Sequence, residues 1–328
     1  MTMTIEALVN LTAGTLQNTP SIQSVEGATV FPSKVEHGDI FFSNDAEEIE
    51  MALKNGAYAI VYEGDEIKNS DPEVAWIKVP SIEAAAFKLL RYAVLEKEAE
   101  FVYLSERENT LLKMILLQKN SIVFISDEWK KAFEQILNAP QKLFVSTNKE
   151  LLKLINPSAS QIQSDVPGYP ISDTLFKSTF KVDGFVYQDR ELAPFHLDSL
   201  LRVAAFCKKH DLPYSIERLR YTKHFMPVFI DGTLKTSHAS KSDKVVIFTD
   251  NLEDIEKARE YLKYNGTWVK SIVLTPPKTK IENLTRPYWF ETEEEVREIL
   301  KNTHFNYAFI YTLDRSILNQ IKEEYSLF

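Results

Sequence analysis

Six histidines, one cysteine and scattered carboxylates are the side chains of this sequence that could do metal or nucleophilic chemistry. A zinc site on a helix needs two ligands one turn apart, so that both imidazoles face the ion. His37, His196, His210, His224, His238 and His304 show no H-x-x-x-H or H-E-x-x-H spacing, so no metal is expected. His196-x-Asp198, with Arg202 close behind, has the residue types for acid–base work. It reads more simply as the polar start of a helix. Cys207 stands alone, which excludes an internal disulfide and a four-thiolate metal site. It follows the apolar run from Leu200 to Phe206 and reads as a structural thiol on a buried helix, suited to a reducing cytoplasm.

Phosphate binding by backbone N–H groups needs glycine-rich turns. The chain has only 9 glycines in 328 residues, well below the usual share of about 7%. That scarcity argues against a glycine-rich phosphate loop. Ser105-x-x-Glu108 is instead a capping-box spacing, in which the two side chains satisfy each other's backbone N–H groups. The polar, mildly basic stretch 235–244 is an anion contact or a plain loop. Asp250 and Asn251 follow a strand and are candidate ligand contacts, or the N-cap of the next helix. The formal net charge of −9 repels nucleic acid and anionic membrane. No apolar stretch approaches the roughly 18 residues that cross a bilayer, so membrane insertion is not expected. The first residues show no signal-peptide pattern, and a cytoplasmic location is expected.

These residues must be positioned by alternating strands and helices. Strands are expected at 40–42, 57–62 and 74–79, with helices at about 45–55 and 81–96. A second run has strands at 101–104, 121–125 and 142–146, with helices between and after them. Asp183-Gly184 predicts a β-hairpin within 174–190. Two helices are expected at about 196–210 and 214–223. The last part has strands at 245–248, 271–274 and 307–310, with helices at about 252–264, 292–301 and 314–325. Thr292 and Glu295 have capping-box spacing. The order predicts an α/β protein in three parts, 1–97, 98–225 and 226–328, with parallel sheets.

Ile22 to Val25, Lys34 to Phe41 and Ala52 to Val61 together resemble the N-terminal domain of Mur ligases. The closest pattern is that of the ligase that adds D-alanyl-D-alanine to UDP-N-acetylmuramoyl-tripeptide. The likeness covers most of residues 3–95 and extends more weakly through 196–223 and 245–263. It implies a three-domain architecture, with a shortened central parallel-sheet domain and a Rossmann-like C-terminal domain. The family's first domain holds the UDP end of its substrate. Its leading aspartate falls at Phe31, and its serine and arginine at Pro32 and Ser33. Ser33 and Lys34 are the polar residues left there as candidate substrate contacts. The family's C-terminal domain contacts the incoming amino acid or dipeptide, which points to Asp250 and Asn251.

The departures from the family pattern are as informative. The family places G-x-N-G-K-[ST] between the first central strand and helix. Here Ser105 and Glu108 stand for the two glycines, Asn109 for the lysine, and only Thr110 is kept. No cofactor is therefore expected. Residues 119–172 offer no histidine or acidic cluster for the family's metal ligands. The leading expectation is a non-catalytic relative that binds or scaffolds in peptidoglycan precursor synthesis. Its implied partner is another cell-wall synthesis protein or a UDP-linked precursor. The alternatives are an ATP-dependent amide ligase of that pathway and an unrelated small-molecule enzyme using an interdomain cleft.

Overall fold

The computed structural model describes residues 2–319 apart from 66, 68, 164, 165, 167 and 282–285. They cluster into two compact units. One comprises Met1–Asn109 with Gln118–Ile162; the other comprises Thr110–Leu117 with Gln163–Phe328.

The first unit holds two mainly parallel sheets. Strands β1 (Gly27–Thr29), β2 (Asp39–Phe42), β3 (Ala59–Tyr62) and β4 (Ala75–Lys78) run parallel, and Thr15–Leu16 closes the edge antiparallel to β4. Strands β5 (Glu100–Tyr103), β6 (Val123–Phe124) and β7 (Leu143–Ser146) form the second sheet, with β7 central and Ser160–Gln161 beside β5. The strands read as apolar runs because parallel sheets are covered on both faces. Helices α1 (Ile5–Thr12), α2 (Ala46–Lys54), α3 (Ile82–Lys97), α5 (Trp129–Asn138) and α6 (Lys149–Ile155) belong to this unit, and α4 (Glu106–Ile115) begins in it and passes to the second unit at Thr110. Asp45 and Ser81 cap α2 and α3 with their side-chain oxygens. One core joins the two sheets: Phe42 meets Phe133 edge-on at 5.9 Å, and Phe101 stacks on Phe144 at 5.0 Å.

The second unit begins with an antiparallel sheet of β8 (Gly168–Asp173), β9 (Ser178–Val182) and β10 (Phe185–Arg190). The expected hairpin is present. Asp183 and Gly184 take φ of 49° and 89°, the left-handed pair that a type I′ turn requires. Helix α7 (Leu197–Lys209) follows.

A helix at 214–223 is not formed; only Ile216–Arg218 makes a 3-10 turn. The reason is that this segment bonds to the end of α4. The Ser215 amide donates to Ile115 O at 2.8 Å and Arg218 Nη1 to Leu116 O at 2.9 Å, so the carbonyls of the last residue of α4 and of the residue after it are satisfied by 215–218.

The final sheet has the order β11 (Met226–Ile230), β12 (Lys244–Thr249), β15 (Tyr307–Tyr311), β13 (Ser271–Thr275), β14 (Tyr288–Trp289), with β11 antiparallel and the rest parallel. Alternate residues face opposite layers. Val245, Ile247, Val273 and Phe309 pack on α8 (Leu252–Asn265). Val246, Phe248, Leu274 and Ile310 pack on α9 (Glu293–Asn302) and α10 (Ser316–Asn319). Thr292 caps α9 at 3.3 Å, while Glu295 reaches one residue further back than its spacing predicts, to the Glu291 amide at 2.7 Å. Beyond Asn319 the helix expected to 325 lies outside the described residues.

Candidate functional site

The connection from β5 to α4 carries the Ser105–Glu108 pair. The Ser105 amide donates to Glu108 Oε2 at 2.8 Å, and the Glu108 amide donates to Ser105 Oγ at 3.3 Å. This is the reciprocal arrangement that the S-x-x-E spacing predicts. Glu108 is only 2% exposed, so its carboxylate is held at the start of the helix rather than in solvent. A carboxylate there also meets the positive end of the helix dipole.

Thr110, later in α4, belongs to a different constellation. Its Oγ1 lies 2.9 Å from His224 Nε2, and His224 Nδ1 lies 2.8 Å from Asp250 Oδ1. Hydroxyl, imidazole and carboxylate thus form one hydrogen-bonded chain. His224 is 3% exposed and sits between β10 and β11 in sequence, while Asp250 follows the last residue of β12. Burial of the Asp250 carboxyl opposes its charge. The His224 hydrogen bond, with the electrostatic pull of His224 and Lys223, outweighs that and holds the carboxyl below the ordinary aspartate range.

Asp250 also lines a crevice of about 500 Å³ at the carboxyl ends of β12 and β15. The chain leaves β12 toward the α8 face and leaves β15 toward the α10 face. This is a topological switch point, where open α/β sheets have a natural crevice for ligands. Lys223 and Arg315 bring positive charge to it, Asp250 and Asp314 negative charge, and Met226 and Phe248 an apolar floor. Thr312, on its rim, has φ of 74°, a left-handed conformation that a β-branched residue rarely takes. Its amide donates to Thr249 O at 3.1 Å, which fixes the two strand ends together.

The other candidates lie elsewhere. Asn251 is the N-cap of α8, accepting from the Glu253 amide at 2.9 Å. Ser33 and Lys34 are exposed in the first unit. Lys34 Nζ lies 3.5 Å from Glu134 Oε2 and 5.3 Å from the Phe31 ring centroid. The depression beside it, about 430 Å³, is lined by Glu26, Glu36, Asp39 and Glu134 as well as Lys34. Burial pushes the Asp39 carboxyl above its ordinary value, and Glu36, Glu134 and Glu26 push the same way against the bond from the Glu36 amide. His196 pairs with Asp254 rather than Asp198: Nε2 to Oδ2 is 2.8 Å, both side chains being buried. Cys207 is fully buried, and burial pushes its thiol up to about 12, as a structural thiol requires.

Sequence reasoning singled out Thr110 and Asp250 separately and missed the residue that joins them. His224 is 114 residues from one partner and 26 from the other, so no local spacing marks it.

No family model and no curated protein sequence matches the chain. Solved structures do. MurF from Acinetobacter baumannii is 12% identical with a TM-score of 0.54, over 95% of each chain. MurF ligase from Thermotoga maritima, in complex with ADP, is 13% identical with a TM-score of 0.51, over 90% of this chain and 96% of that one. The chain has the fold of the Mur ligases, as the residues at 22–61 led one to expect. Identity this low speaks to fold alone.

Proposed function

We propose that this protein is a Mur-ligase-fold binding or scaffolding protein of peptidoglycan precursor synthesis that does not use ATP. The Ser105–Glu108 box carries this reading. It stands where the family pattern has its phosphate loop, and residues 105–110 contain no glycine. Backbone donors that would otherwise face a phosphate are engaged by Ser105 and Glu108. Glu106 and Glu108 add negative charge, and Asn109 replaces the lysine. A phosphate there would meet repulsion of about 1–4 kcal/mol per charge pair near 4 Å. The residues present do not fit a nucleotide's phosphates.

The ligand end recognised would be the peptide. The carboxylate-lined depression at Lys34 is a poor match for a UDP diphosphate. The switch-point crevice offers both signs of charge, which suits the ammonium and carboxylate ends of an amino acid or short peptide. The test is calorimetry with ATP–Mg²⁺ and with UDP-N-acetylmuramoyl peptides. Binding of the peptide compound alone is expected. Saturable ATP–Mg²⁺ binding at Ser105–Thr110 would overturn the reading.

The Thr110–His224–Asp250 chain favours a second reading, a small-molecule enzyme. Its order is that of a nucleophile, a base and the group that orients the base. Hydrolysis of a small activated ester that is abolished by both Thr110→Val and His224→Ala would support it. Activity unchanged by either variant would exclude it.

A further inference from the structure

Tyr264 and Trp268 are the most exposed aromatic side chains among the described residues, at 71% and 79%. Water around so much apolar surface is unfavourable, and exposed rings gathered at one place mark contact sites. Tyr264 lies in the last turn of α8 and lines a groove of about 820 Å³, and Trp268 follows three residues after the helix ends. This groove is separate from the crevice at Asp250.

Its hydrogen-bonding groups are complementary in kind and uncommitted. Among the described residues the half-buried Arg259 guanidinium makes no hydrogen bond or ion pair, and neither do the Glu260 carboxylate and the Thr267 hydroxyl. Arg259 supplies donors only, Glu260 acceptors only, and Thr267 either. Burial works against the Arg259 charge, and Glu256 offsets this only in part. The groove has no net sign: Arg259 and Lys263 balance Glu256 and Glu260. The carbonyl end of α8 lies alongside, which disfavours an anion. A simple cation has nothing to gain from Arg259 or from Lys263, whose ammonium lies 5.9 Å from the Tyr264 ring centroid.

A ligand that uses all of these groups is uncharged, presents hydroxyls as donors and acceptors together, and has a flat apolar face. We propose that this groove binds a neutral oligosaccharide. One sugar ring lies on Tyr264, and its hydroxyls donate to Glu260 and accept from Arg259 and Thr267. Trp268 does not line the groove itself but stands between two residues that do, Thr267 and Val269, and serves as the fluorescent reporter.

The test titrates the full chain with chitotetraose and cellotetraose, and in parallel with inorganic phosphate. Calorimetry reads the affinity and tryptophan fluorescence reads the contact, with Trp268→Phe removing the signal. Saturable binding of at least one tetrasaccharide is expected, weakened about tenfold or more by Arg259→Ala and by Tyr264→Ala. Both residues are away from the core, and thermal melting confirms that the variants fold. Absence of saturable sugar binding would overturn the proposal. So would binding that both variants leave intact, or phosphate binding in place of sugar. Because ATP and UDP-linked compounds are not used, the outcome is independent of the function proposed above.

Discussion

Glu108 Oε2 and the Ser105 amide are 2.8 Å apart, and the Glu108 amide returns the bond to Ser105 Oγ. Each residue satisfies the other's backbone at the start of α4. The pair therefore contributes to stability where a phosphate loop would contribute to binding.

Glu108→Ala is expected to cost about 1–2 kcal/mol, the usual value of a lost helix cap with a buried partner. Chemical denaturation measures it. ATP–Mg²⁺ should raise the melting temperature of neither the native chain nor the variant. A nucleotide-dependent rise in the native chain would count against the stabilising role given to this pair.

His224 makes two bonds, to Thr110 and Asp250, from a buried position. His224→Ala should cost about 2–3 kcal/mol, since two polar partners lose their bonds together. A double-mutant cycle with Asp250→Ala should show coupling of roughly 0.5–3 kcal/mol. Additive losses would mean that the two side chains do not act together.

The lowered Asp250 carboxyl fixes the sign of a pH effect. A carboxyl whose folded value lies below its unfolded value of about 3.9 stabilises the fold fully above that value. The benefit disappears as pH falls through the folded value. The melting temperature of Asp250→Asn should therefore lie below that of the native chain at pH 6–7, by a gap that closes below about pH 4. A gap that widens in acid would contradict the assignment.

Asp39 predicts the opposite. Its carboxyl is raised, first by burial and then by three neighbouring glutamates. Folding then favours the protonated form, so ionisation destabilises the native state as pH rises past the unfolded value. Asp39→Asn keeps an acceptor for the Glu36 amide, now 2.8 Å from Asp39 Oδ2. It should raise the melting temperature at pH 7 and have little effect near pH 3. A loss of stability at pH 7 would show that the negative charge is needed.

Local features were the ones readable in the chain. The turn at Asp183-Gly184, the capping Asn251 and the Ser105–Glu108 box each depend on residues at most three apart. Tertiary partners were not readable. His196 lies two residues from Asp198 yet bonds Asp254, 58 residues on. Residues 214–223 read as a helix, but the Ser215 amide and the Arg218 side chain bond to the open end of α4. In each case a distant group outbid a nearby one, and spacing carries no record of distant groups.

The division of α4 also has a consequence for biosynthesis. Residues 110–117 cluster with 163–328 and not with the sequence on either side of them. Leu111, Leu112, Ile115 and Leu116 are essentially fully buried in the finished protein. Their binding partners around Tyr214 and Ser215 leave the ribosome much later. At about 5–20 residues per second, an apolar helix waits roughly 5–20 s before its surroundings exist. During that interval it is a natural target for a chaperone, and a ribosome stalled short of residue 214 would expose a sticky, half-finished product.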